Sequence, residues 1–209
     1  MQLYIKTILS LICIGSTVSC KTETSPPKED SIVLSKNTPE IEVIDTLPKA
    51  IDYKALFKSN PTFIAEGFDF PVGKPNARGY YNAQKFGKNN HLGDDWNGVG
   101  GGNSDLGDPI YSIANGYVSE VKDYEDGWGN VAQIVHYYNN ELYKSLYAHC
   151  DTILVKEGHF VKKGQHIATI GNCNGTYFAH LHLEIRDSLH LDIGGGYSSN
   201  TTGYLDPTL

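Results

Sequence analysis

The residues best suited to chemistry fall in three short clusters. His91-Leu-Gly-Asp-Asp95 sets an imidazole and a carboxylate four positions apart. Tyr147-Ala-His149 contributes one imidazole, and His180-Leu-His182 contributes two. Imidazole and carboxylate together are the donor set of catalytic zinc, which takes three protein ligands and leaves a fourth position for water. Two histidines and one aspartate leave such a site with net positive charge and strong Lewis acidity. A lone histidine on a strand is ordinarily a surface or satisfied core residue. Three clusters of donor residues, holding four of the chain's eight histidines, are harder to explain that way.

These clusters need elements to bring them together, and the pattern predicts strands. Gly is abundant at 22 and Tyr at 14, a mix that suits a β-rich fold with many turns. Residues 110–114 and 116–121 read as strands around an Asn115-Gly116 turn. Residues 130–138 (NVAQIVHYY) form a β-branched and aromatic run, turned by Asn139-Asn140 into 142–150. Residues 160–162 and 165–170 suggest a further hairpin around Lys163-Gly164. Residues 179–186 (AHLHLEIR) are the last clear strand. In a strand, residues i and i+2 share a face. His180, His182 and Glu184 therefore fall on one side, with Leu181, Leu183 and Ile185 on the core side. Glu184 could orient an imidazole, lie in solvent or pair with Arg186. By the same alternation Tyr147 and His149 share a face, with Leu146 and Ala148 opposite. The fold class expected is all-β, an antiparallel sheet with long loops around a cleft, preceded by a flexible tether.

The ordered motifs HLGDD, YAH and HLHLEIR resemble the lysostaphin-type (LytM-like) zinc metalloendopeptidases, whose pattern is HxGxD, then YxH, then HxH. The resemblance covers about residues 66 to 209, and the linking stretches FDFPVG, GDPIYSIANGYVSEV, VKEGHFVKKGQHIATIG and YLDPTL resemble the family as well. It implies that His91, Asp95 and His182 bind Zn2+ and that His149 and His180 flank the reacting water and the developing oxyanion. The i, i+4 spacing from His91 and the family pattern favour Asp95 over Asp94, which is expected in solvent or in a turn. His136, His159, His166 and His190 fit no motif and are expected to be structural or on the surface. Two features depart from the pattern. Lys88-Asn89 follow Phe86-Gly87 where the family often has an Arg, and the Gly-rich stretch 97–108 is longer than usual.

The N-terminus reads as a targeting segment. Lys6 precedes an apolar stretch, Ile8 to Ile14, and small residues lead to Cys20. TVSC resembles a lipobox with Thr17 in place of the usual Leu. Residues 1–19 are expected to be a signal peptide, 20–60 a lipidated N-terminus and flexible tether, and 61–209 the zinc metallopeptidase domain. Residues 50–60 could form a short helix ended by Pro61. Cys150 and Cys173 remain as a disulfide or as two free thiols, neither in a CxxC pair. A formal net charge of −7 argues against nucleic-acid partners, which need a basic face.

The resemblance implies a zinc-dependent endopeptidase that hydrolyses peptide cross-links of bacterial peptidoglycan by metal-activated water. The expected location is the cell envelope, facing the periplasm and anchored to the membrane through lipid on Cys20, with cell-wall or division proteins as possible partners. The competing reading is a catalytically inactive module of the same fold that binds peptidoglycan or activates wall amidases.

Overall fold

The computed structural model describes residues 50–208, which form one unit. The expected signal peptide, the Cys20 lipobox and the tether up to residue 49 lie outside the described residues. Among the described residues one short α-helix, α1 (Tyr53–Ser59), precedes ten strands. These are β1 (Tyr80–Gln84), β2 (Asp94–Gly98), β3 (Pro109–Tyr111), β4 (Gly116–Asp123), β5 (Asn130–Tyr138), β6 (Glu141–Ile153), β7 (Phe160–Val161), β8 (His166–Ile170), β9 (Leu181–Arg186) and β10 (Tyr204–Leu205). Among the described residues no helix is long and apolar enough to cross a membrane.

The fold is all-β, and its strand pairs are antiparallel. The sheet runs β1-β2-β9-β6-β5-β4-β7, with β10 beside β9 and β8 joining β3 to the far end of β6. The hairpin β5–β6 forms where expected. Asn139 and Asn140 both have positive φ, the combination that a two-residue type I′ turn requires. The other two expected hairpins do not form. β3 pairs with β8 rather than β4, and β7 pairs with β4 rather than β8. The physical reason lies in Asn115. Its side chain donates to the Ile64 carbonyl and accepts from the Lys163 backbone N–H, so the turn residue joins three loops instead of closing a two-strand ribbon.

Residues facing one another across the ladders share a face of the sheet. Tyr147 lies opposite Leu183, and Ile134 lies opposite Ser145. On that face Tyr147, Leu181, Leu183, Ile134, Val118, Ile110 and Ile167 build the main core, each at most 3% exposed. Each such apolar side chain contributes roughly 1.5–3 kcal/mol. The other face is divided. At one end α1 covers it, with Asp52 capping the helix through Ala55 N–H and Phe57 fully buried against Val135 and Tyr137. The last stretch of the expected tether, residues 53–59, is thus packed onto the sheet. At the other end the same face is left open as a cleft.

Candidate metal centre

The register of β2 against β9 builds the centre. Asp95 sits directly opposite His182, and Ala148 of β6 flanks His182 on its other side, so two donor side chains meet beside a small neighbour. Asp94 pairs with Leu183 and Trp96 with Leu181, which turns both away from the cleft. Asp94 is fully buried, not solvated as expected; its Oδ1 accepts from the Phe86 N–H at 2.9 Å. Burial raises the Asp94 carboxyl above its ordinary pKa.

His91 arrives from a short turn, Lys88–Asn90, in which Asn89 and Asn90 have positive φ, a conformation asparagine tolerates. The intervening Gly93 is required by space. A Cβ there would lie 2.4 Å from the Leu183 carbonyl oxygen and 3.0 Å from Cε1 of His182. The HxGxD spacing thus presses the first cluster against the last.

Nδ1 of His182 lies 2.9 Å from Oδ1 of Asp95 and 3.0 Å from Nε2 of His91, and His91 Nε2 lies 3.3 Å from the same Asp95 oxygen. The three atoms form a triangle. Two imidazole nitrogens and a carboxylate oxygen this close cannot all be satisfied by one proton. A tetrahedral zinc ion about 2.0–2.1 Å from each ligand would hold them roughly 3.3 Å apart, so the donor set and its spacing fit that ion. His91, Asp95 and His182 are also the group of described residues able to hold a metal. The protein's own charges favour a cation there. Burial alone would raise the Asp95 pKa, yet hydrogen bonds from His182 and His91 hold it well below the carboxylate range. Burial alone would lower His182, yet Asp95 and Glu184 raise it above its ordinary value.

His180 stands just before β9, where it bridges Gly171. Its Nδ1 is 2.8 Å from the Phe178 carbonyl, which can only accept, so Nδ1 carries the hydrogen and Nε2 offers its lone pair. That Nε2 is 3.9 Å from Asp95 Oδ1. His149 reaches the same point by a different device. Asn130 pairs with Cys150 while Ala132 pairs with Tyr147, so β6 carries one extra residue there, and His149 has φ +59°. This bulge overturns the expected sharing of a face by Tyr147 and His149. Tyr147 stays in the core, whereas His149 turns into the cleft, its ring 4.7 Å from that of His180 and 5.7 Å from that of His182. Bulges commonly re-aim a side chain beside an active site. Burial, with His180 and His182 nearby, pushes the His149 pKa down to about 3.

The cleft encloses about 920 Å³. Its rim contains residues that the motifs did not indicate: Trp128, Tyr177, Phe178 and Tyr197. Trp128 donates to the Gly194 carbonyl at 2.9 Å and meets the His182 ring edge-on. Tyr197 lies over His91, the ring centroids 5.1 Å apart. The only signal for this wall in the sequence is the Gly194–Gly196 run, which lets the chain pass close to Trp128. The Gly-rich stretch contributes Asn97 and Asn103, which bond the carbonyl and the N–H of Ala179 and so brace the wall that carries Phe178. Glu184 is buried between His182 and Arg186, so it both orients the imidazole and pairs with the guanidinium. His136 is buried, and His159, His166 and His190 are exposed, all away from the centre. Cys150 and Cys173 are free thiols.

The sequence matches the family described as Peptidase family M23 over residues 95–194, a span that begins at the second proposed ligand. Lipoprotein NlpD of Yersinia enterocolitica is 46% identical over 80 residues, which make up 38% of this chain and 78% of that protein. Peptidoglycan DD-endopeptidase ShyB of Vibrio cholerae is 41% identical over 80 residues, again 38% of this chain but 18% of the relative. Murein hydrolase activator NlpD of Escherichia coli is 45% identical over 80 residues, 38% of this chain and 20% of its own length. The chain therefore spans most of the first relative and a fifth or less of the other two. The chain belongs to peptidase family M23, the lysostaphin-type or LytM-like peptidases.

Proposed function

We propose that the protein is a zinc-dependent endopeptidase that hydrolyses peptide cross-links of bacterial peptidoglycan. The observation that carries this reading is the convergence of His91 Nε2, Asp95 Oδ1 and His182 Nδ1 on one point, with two further imidazoles facing it. Zinc held by these ligands would supply Lewis acidity and lower the pKa of water. His149 and His180 handle protons. One takes the proton of the attacking water, and the other steadies the developing oxyanion or passes the proton to the leaving amine. The name of the Vibrio relative favours D,D-endopeptidase action. The envelope location facing the periplasm, with lipid on Cys20 holding the chain at the membrane, belongs to the same proposal and draws support from relatives named as lipoproteins.

A second reading is favoured by the relative named as a murein hydrolase activator: a module that binds peptidoglycan or activates an amidase without cutting. Against it stands the full donor set. Metal analysis of the purified chain is expected to find close to one zinc per molecule. Incubation with sacculi is expected to release cross-link fragments, abolished by a chelator and by His182→Ala. Zinc bound without any release of fragments would overturn the peptidase reading in favour of the activator. Mass spectrometry of membrane-extracted protein, finding Cys20 without lipid, would overturn the anchor.

A further inference from the structure

Two non-glycine residues with left-handed backbone meet at the edge of the cleft. His149 has φ +59° and Cys173 has φ +49°, and Sγ of Cys173 lies 3.3 Å from Nδ1 of His149. Side chains other than Asn, Asp and His seldom occupy that region, and such outliers gather at functional sites. We propose that Cys173 is a positioning residue for His149, its thiol fixing which ring nitrogen carries the hydrogen. The inference rests on the peptidase reading for what His149 does, but not for how it is held.

The directions of the hydrogen bonds are consistent. Sγ is 3.6 Å from the Gly127 carbonyl, which can only accept, so the thiol hydrogen points there. A sulfur lone pair is then left for His149. Nδ1 also faces the Trp128 carbonyl at 3.3 Å, again an acceptor. Both neighbours call for hydrogen on Nδ1, which leaves the Nε2 lone pair free for the cleft. The Trp128 carbonyl alone is a weak guide, because it is long for this bond and already accepts the backbone N–H of His149 at 3.1 Å. The sulfur is thus the second of two acceptors that hold the tautomer. Gly129 makes room for it, since a Cβ there would lie 3.1 Å from Sγ. The thiol is not a nucleophile in its own right. Burial and the nearby Asp123 raise its pKa, opposite to the depression that a reactive thiolate needs.

The test uses the zinc-loaded chain labelled with 15N-histidine, as wild type, Cys173→Ser and Cys173→Ala. The nitrogen spectrum of His149 in the wild type is expected to show a protonated Nδ1 and a bare Nε2. Cys173→Ser keeps an acceptor and is expected to keep that spectrum. Cys173→Ala is expected to populate both tautomers and to lower kcat on sacculi roughly tenfold, with KM and zinc content unchanged. A wild-type spectrum with hydrogen on Nε2 overturns the proposal. So does an alanine variant with the single wild-type tautomer. If no form of the chain cuts sacculi, the peptidase reading fails while the spectra still decide the role of Cys173.

Discussion

Nε2 of His182 lies 3.2 Å from Oε1 of Glu184 on one face of β9, and the other oxygen of that carboxylate accepts from Nε of Arg186 at 2.8 Å. Arg186 in turn donates through its remaining nitrogens to the carbonyls of Leu191, Asp192 and Ile193. That loop continues to Gly196, whose carbonyl accepts from Leu92 N–H beside His91. The ring whose Nδ1 faces the candidate metal site is therefore held from behind by a closed circuit of buried charge. Supporting partners of this kind fix the orientation of metal-ligating histidines.

Glu184→Gln is expected to act on both metal and fold. The amide keeps the shape but leaves the Arg186 guanidinium, itself fully buried, without a counter-charge. Removing one partner of a buried ion pair costs about 3–5 kcal/mol, and loss of such a supporting group weakens metal binding roughly 10–100-fold. Urea unfolding and competition with a zinc chelator measure the two effects. Wild-type values in both would show that the circuit does not matter.

His136 gives the fold a pH dependence remote from the candidate metal centre. It is buried between the Asn115 carbonyl and Ser145 Oγ, and burial pushes its pKa down to about 4. In the unfolded chain the imidazole titrates near about 6.5. The unfolded state therefore binds more protons between those values, and stability is lost as pH falls from about 6.5 towards 4, by on the order of 3 kcal/mol. His136→Gln is expected to flatten that part of the stability profile even if it is less stable at pH 7. Equal slopes for the two proteins between pH 7 and pH 4.5 would refute the assignment.

Local pattern made much of this visible in the sequence. The run 130–138 is β5 residue for residue, Asn139-Asn140 is the turn, and the alternation in LHLEIR puts Leu181 and Leu183 in the core and His182 opposite. What the sequence hid were choices made by distant partners. Asn115 looked like a hairpin turn but bonds to residues 64 and 163. Glu184 looked able to reach solvent, and only the carbonyls of the loop 191–193, which hold its partner Arg186, explain why the pair is buried. The bulge at His149 defeats strict alternation, because a period-two rule has no place for an inserted residue.

Tyr147 tests that bulge. Its hydroxyl accepts from the buried Ile113 N–H at 3.0 Å, on the core side of the sheet. Tyr147→Phe would leave that donor without its partner, at about 1–3 kcal/mol. Because Tyr147 faces away from the cleft, specific activity on sacculi is expected to stay at the wild-type level. A lower melting temperature with unchanged kcat is the expected pair of measurements. A fall in kcat with full stability would mean that the tyrosine of this motif works in the cleft after all.

The long Gly-rich stretch can be tested through Ala179, which is fully buried between Phe178 and His180. Asn103 Oδ1 accepts from the Ala179 N–H at 2.8 Å, and Asn97 Nδ2 donates to the Ala179 carbonyl at 3.3 Å. These two side chains grip one residue from both sides, so the loop holds the wall at rest rather than waiting to close it. Asn103→Ala strips the buried N–H of its acceptor, at about 1–3 kcal/mol felt locally. Faster amide exchange is expected across residues 176–180, with zinc content unchanged because no ligand is touched. His180 is only one residue away, and its misplacement is expected to lower kcat/KM on peptide substrates roughly tenfold. Unchanged exchange in that segment would mean that the wall is held by something other than this loop.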